Sequence, residues 1–268
     1  MTMRGRNRII IITVAFVVLL LPLIPLLMWS FSSFWRWPAI LPEFDGGYWP
    51  RLLSDTRILP ALRNSLTLSA LVAFLSLILS FFAAKNLGTR NFRGKRLIEF
   101  LLLVPTFVPQ IAIVFGMQTV FMKLLLYSNF PGLVTAHLVF YLPYTTLLLS
   151  AVFENYDTVL EDQARTLGIG RLKTMLFVTL PAVRSGVIVA AVFCFIGSWS
   201  VYLLTNVIGD PHFKTLPVVI FPLISVGNNS YSMVAVAIIL YILPILIILM
   251  AVSKALTDPR LGARKGAI

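Results

Sequence analysis

The sequence is short of charge. Only 12% of its 268 residues are Asp, Glu, Lys or Arg, about half the share of an average soluble domain. Apolar residues supply 59%, and mean hydropathy is +0.92. That excludes an ordinary water-soluble fold. Acids are the scarcer sign, 10 against 22 Lys and Arg, for a net charge of +12. In a soluble chain such an excess suggests a nucleic-acid partner. Here the bases fall in short segments between apolar runs, so they are read as topology signals beside membrane lipid, with no nucleic-acid partner. Cysteine is limited to Cys194 inside an apolar run, which excludes a disulfide framework and reads as a small buried hydrophobe. The two histidines, His137 and His212, lie on different segments, so no metal-ligand spacing exists. A Walker lysine motif, a nucleophile elbow and paired carboxylates within an apolar run are all missing. The chain is therefore expected to be no enzyme and to bind no cofactor of its own.

What is present is a series of apolar runs. Runs at about 9–30, 62–84, 97–122, 132–153, 185–207 and 232–252 each reach the roughly 20 residues that a helix needs to cross a bilayer. The expected fold is all-α, a single transmembrane domain over 1–268 with six transmembrane helices. The first run follows Arg4, Arg6 and Arg8, as a signal peptide would. It is too long for that, and Trp29, Phe31, Phe34, Trp35 and Trp37 follow it like an interfacial belt. The residues 32–63 read as an external segment. The N-terminus, 85–96, 154–184 and the tail hold 16 of the 22 Lys and Arg. By the positive-inside rule both termini are expected in the cytoplasm, in a multi-pass arrangement. Pro105, Pro109 and Gly116 fall inside the third run and Pro244 inside the sixth, breakers tolerated where neighbours satisfy the freed backbone.

The longest interruption on the basic side is 157–181, DTVLEDQARTLGIGRLKTMLFVTLP. It reads as two short helices. Thr158 followed by Glu161 fits a capping box. Leu160, Ala164 and Leu167 share a face at i, i+4 and i+7. Gly168 stands where a left-handed residue ends a helix, and Pro181 marks the next boundary. An apolar stripe on a short helix of a water-facing loop points to a partner.

This stretch resembles the EAA loop, the signature of binding-protein-dependent ABC importer permeases. That motif runs acid, two small residues, three variable residues, glycine, and Leu-Pro thirteen residues after the glycine. Asp162, Gln163 and Ala164 fill the first places, Gly168 the glycine and Leu180-Pro181 the end. Asp replaces Glu and Gln replaces the first Ala, so either Glu161 or Asp162 is the motif acid. The order of segments from Asn64 to Leu256 is similar to permeases of polyamine, iron and phosphonate importers. The resemblance implies a type I importer fold in a bacterial inner membrane. It implies a second permease, identical or homologous as in a heterodimer, an ABC ATPase dimer that carries ATP and Mg, and an extracytoplasmic solute-binding protein. It also implies that Glu161, Asp162, Ala164, Leu167, Gly168 and Pro181 form a coupling helix docked on the ATPase. The solute would be a polyamine, a phosphonate or a similar small polar or charged molecule. Polyamine permeases of this type carry acids in the fifth span, and this chain has Ser198-Trp199-Ser200 there.

That run is the candidate pathway. Ser198 and Ser200 point about 200° apart on a helix, so one is expected to bond a neighbour. Trp199 and Tyr202 are expected to share a face towards the path. His137 is expected to be a hydrogen-bonded structural residue. Two other readings are an ion-coupled transporter, which would need ionisable residues in the spans, and a non-transport membrane scaffold.

Overall fold

A computed structural model describes residues 21–35, 39–225 and 231–257, together with Val18. The chain forms two compact units, Met1–Pro60 with Val219–Pro244 and Ala61–Val218 with Ile245–Ile268. Among the described residues the elements are α1 (Leu23–Ser30), β1 (Ser32–Phe34), β2 (Glu43–Phe44), α2 (Tyr48–Leu53), α3 (Ile58–Thr89), α4 (Lys95–Phe107), α5 (Gln110–Lys123), α6 (Phe130–Glu154), α7 (Val159–Thr166), α8 (Arg171–Thr174), α9 (Leu180–Ser200), α10 (Leu203–Ile208), α11 (Leu216–Ser225) and α12 (Tyr231–Thr257).

The first unit departs from an all-helical expectation. Its segment after α1 folds as a two-stranded antiparallel ribbon, with Ser32 opposite Phe44 and Phe34 opposite Glu43. Trp29 stacks on Tyr231 at 4.8 Å and meets Trp35 edge-on at 5.8 Å. Of the first expected span only Val18 and residues 21–30 lie among the described residues, and α1 is its helical end.

The second unit carries the site. At 32 residues, α3 is about 48 Å long, longer than the hydrocarbon core. Its buried stripe is built from small residues: Ser65, Ser69, Ala73, Ser76, Ser80 and Ala84, with Leu68 and Val72 between them. Small side chains let helix backbones approach where water supplies no driving force. At Gly88 the approach is closest, because a β-carbon there would lie 2.5 Å from the carbonyl oxygen of Ser150 on α6. Ala84, Leu149, Phe153, Val183 and Ala190 close a core among α3, α6 and α9.

Among the described residues four helices are long and apolar enough to cross a membrane: Ile58–Thr89, Phe130–Glu154, Arg171–Ser200 and Tyr231–Leu256. The expected third span is not one straight helix. α4 and α5 meet at a bend of 102°. Pro109 causes it, since its ring drives Val108 to an extended φ of −89° and ψ of 131° and it offers no N–H to continue the ladder. Counted as one broken span, the pair makes a fifth.

The expected fifth span differs at both ends. It begins earlier, because α8 runs without a stop through a π-helical turn at Met175–Thr179 into α9. Pro181 therefore marks no helix boundary. The wide turn before it accommodates a ring that would otherwise clash with the preceding turn. The span also breaks early, at Val201, whose ψ of 115° ends α9 before α10 starts at Leu203.

Candidate functional site

Two constellations in the second unit can carry function, one at each end of α6. The first is the hairpin of 157–181. Asp157, not Thr158, starts α7: its carboxylate accepts the N–H of Val159 at 2.9 Å. Thr158 already has helical backbone angles and makes no side-chain cap. The expected capping box therefore does not form, because Glu161 is occupied elsewhere. Lys85, in the last turns of α3, donates to both carboxylate oxygens of Glu161 at 2.6 and 2.7 Å. Thr179 donates to Oε1 at 2.7 Å, and Arg165 stands 3.6 Å away. Glu161 is 5% exposed, and Asp162 is open to solvent. Three stretches distant in sequence thus converge on one carboxylate.

Burial alone would raise the carboxyl of Glu161. The Lys85 ammonium and the Thr179 hydroxyl more than offset it and hold the group below its ordinary 4.5. Tyr156 lies beside them. Burial pushes its phenol up to about 12, with the Thr179 hydroxyl opposing and the Glu161 carboxylate adding to the rise. At pH 7 the cluster is a carboxylate, an ammonium and a neutral phenol, held in place by dipoles and charge at the rim of an apolar core.

Gly168 takes φ +78°, the left-handed geometry that glycine adopts without strain. Its N–H and that of Ile169 close the turn on the carbonyls of Arg165 and Ala164. Ala164 is 5% exposed. Its face turns inward to the second arm of the hairpin, so the expectation that it meets a partner directly fails: a side chain buried within its own chain presents no surface. The exposed large apolar residues here are Val159, Leu167, Leu172, Leu176 and Phe177, at 53%, 79%, 67%, 43% and 75%. Pro181 is exposed.

The second constellation is the break in α9. His137 of α6 is fully buried. Its Nδ1 lies 2.9 Å from Ser198 Oγ, and its Nε2 lies 3.1 Å from Thr205 Oγ1. Thr205 donates its own proton to the Val201 carbonyl at 3.1 Å, so it accepts from Nε2–H, and Nδ1 accepts from Ser198. A neutral imidazole thereby joins the two sides of the break with every polar group satisfied. Ser198 does bond a neighbouring helix. Ser200 points into a cavity of about 390 Å³ between α6 and α9, with Phe140, Tyr141, Tyr144 and Phe193. The expected common face of Trp199 and Tyr202 does not exist, because the helix ends between them. Trp199 is 1% exposed and stacks on Phe195 at 5.9 Å; Tyr202 precedes α10 and lines neither described cavity. A second cavity, about 200 Å³, is lined by Tyr127, Asn206, Asp210 and Lys214 among others.

Cys194 is buried in α9. Among the described residues no three His, Cys, Asp or Glu side chains gather as metal ligands. Sequence reasoning missed Lys85, Tyr156 and Thr179. Their signal was faint: one base at the end of an apolar run, and hydroxyls within an apolar pattern.

A family model for the binding-protein-dependent transport system inner membrane component matches residues 76–262. The putrescine transport system permease protein PotI of Escherichia coli (strain K12) is 26% identical over 233 residues, covering 84% of this chain and 83% of that protein. The spermidine/putrescine transport system permease protein PotC of the same strain is 24% identical over 237 residues, covering 88% and 89%. The same fold occurs in a bacterial ABC transporter involved in the import of the acidic polysaccharide alginate, with a TM-score of 0.73 at 20% identity over 93% of this chain and 95% of that one. It also occurs in the MetNI methionine ABC transporter, with a TM-score of 0.62 at 14% identity over 74% and 94%.

Proposed function

The chain belongs to the family of binding-protein-dependent transport system inner membrane components, and from that premise we propose that the hairpin of 157–181 couples it to its ATPase. The family assigns the chain a permease role; ATP and Mg belong to the partner ATPase subunits. The proposal rests on one observation: a hairpin that exposes Leu167 and Leu172 at and beyond its turn is clamped to the end of α3 through Lys85 and Glu161. Such an element moves as a rigid body. A push on its outer face is passed to α3 and, through the continuous α8–α9 helix, towards the break at Val201. Glu161 does the clamping, which leaves Asp162, solvent-exposed and beside Arg165 at 3.5 Å, as the acid turned outward to a partner. Ala164 and Gly168 shape the hairpin, Pro181 seats its second arm in α9, and Leu167 provides contact.

The wider reading is a six-span subunit with both termini and the hairpin in the cytoplasm. The four long helices, the α4–α5 pair and the apolar run at 9–30 supply the spans. It pairs with a second permease, and an external binding protein delivers the solute. ATP binding would bias the bundle between inward-facing and outward-facing states. PotI and PotC are putrescine and spermidine/putrescine permeases, so a small amine is the leading solute class, received beside the break in α9, where Ser200 lines the cavity. The test is Leu167→Asp in the assembled importer. The permease should keep its unfolding midpoint, since the side chain is exposed, and should retain at least about tenfold less ATPase on co-purification, the cost of putting a charge into an apolar contact. Unchanged ATPase retention would refute coupling through this face.

A further inference from the structure

We infer that the cavity beside the α9 break is a binding site for an organic ammonium cation, held by aromatic faces instead of carboxylates. The inference rests on the permease reading and adds where the solute binds and by what chemistry. Phe140 and Tyr144 stand at i and i+4 on α6, and Phe193, Gly197 and Ser200 follow one another along one face of α9. The cavity is the seam between those two ladders, and its volume of about 390 Å³ falls in the range of small-molecule sites. Its floor is fixed. The Tyr141 hydroxyl donates to the Gly197 carbonyl at 2.6 Å. Gly197 leaves room for that ring, since a β-carbon there would lie 2.4 Å from Tyr141 Cε1. The walls are aromatic rings, with Tyr144 centred 6.4 Å from both Phe140 and Phe193 and tilted by 36° and 46° to them.

Three features select the ligand. None of the lining residues is an acid or a base. A divalent metal would find no oxygen cage, and a phosphonate or carboxylate would find no Arg or Lys. Aromatic faces attract a weakly hydrated alkylammonium. The α9 helix ends at Ser200 beside the cavity, and a helix that ends there turns its last carbonyls and the negative end of its dipole outward. A broken span whose helix C-terminus faces a cavity is a recurrent cation site in transporters. The fifth span thus has a means of holding an amine without the acids it lacks.

The test is equilibrium dialysis of labelled putrescine against the purified permease–ATPase complex, with the external binding protein left out. In the wild-type complex tetramethylammonium should displace putrescine, and its neutral isostere tert-butanol should not. Tyr144→Leu and Phe193→Leu should each weaken binding about 3- to 30-fold, and Tyr144→Phe, which keeps the face, by less than about twofold. The wild-type competition needs no variant to fold. No putrescine retained on the protein side, equal displacement by tert-butanol, or leucine variants that bind like wild type would each overturn the site. ATP hydrolysis stimulated by the loaded binding protein reports the permease reading separately, so a complex that shows it without amine binding loses only this inference.

Discussion

The two ends of α6 solve the same problem with opposite chemistry. Near its last turn, the hairpin is held by a full charge pair, Lys85 with Glu161. Seven residues into the helix, the break in α9 is held by a neutral histidine between two hydroxyls. The difference follows solvent access. Lys85 keeps a quarter of its side chain exposed, so its charge stays partly hydrated and the pair is affordable. His137 has no exposure, where an ion would carry a desolvation cost of several kcal/mol. One end ties the hairpin to the last turns of α3. The other is built to keep a helix broken inside the bundle.

The largest effect should come from the neutral end. His137→Ala removes two buried hydrogen bonds and leaves a cavity, at a cost of about 3–4 kcal/mol. Thermal unfolding of the purified complex should show it as a large fall in midpoint, and an unchanged midpoint would mean that His137 holds nothing. At the charged end Glu161→Gln should cost about 2 kcal/mol, the loss of charge-assisted hydrogen bonds with the amide still able to accept. Hydrogen exchange should quicken over 159–179 and stay unchanged over 198–205. Acceleration at both ends would erase the distinction between them.

Acid offers the same perturbation without mutation. Glu161 titrates below 4.5 in the folded chain, so its stabilisation is complete above that value. It is lost as pH falls through the lower, folded value. The protection of the hairpin amides, meaning exchange corrected for its intrinsic pH dependence, should be flat from pH 7 to about 5 and fall below 4.5, and the Glu161→Gln variant should lack the step. The smallest effect belongs to Thr179→Val, which keeps the shape and removes one of the bonds to Glu161, at about 1 kcal/mol.

Local patterns reached some of this architecture and missed the rest for identifiable reasons. Apolar runs locate α3, α6 and α12 to within about five residues at each end, because hydropathy over a whole span is a strong and additive signal, whereas the run at 185–207 misses both the early start and the early break of the α8–α9 helix. Gly168 announces its own backbone angle. The capping box failed because Thr158 and Glu161 are right for one in sequence, and a lysine 76 residues away competes for the same carboxylate. The stripe through Ala164 is real, but a periodic face does not say whether its cover is a partner or the chain's own second arm. The break at Val201 has no glycine or proline to announce it. Its support comes from His137, 64 residues upstream, and no window along the chain contains both.

The claim that the hairpin is a rigid coupling element is tested most directly by a double-mutant cycle between Lys85→Met and Glu161→Gln. The readout is solute-stimulated ATP hydrolysis by the reconstituted importer. If the pair transmits the motion, either substitution breaks the clamp and the double variant should be no worse than the poorer single one. If the two losses simply add, Lys85 and Glu161 act separately and the hairpin is not clamped through them.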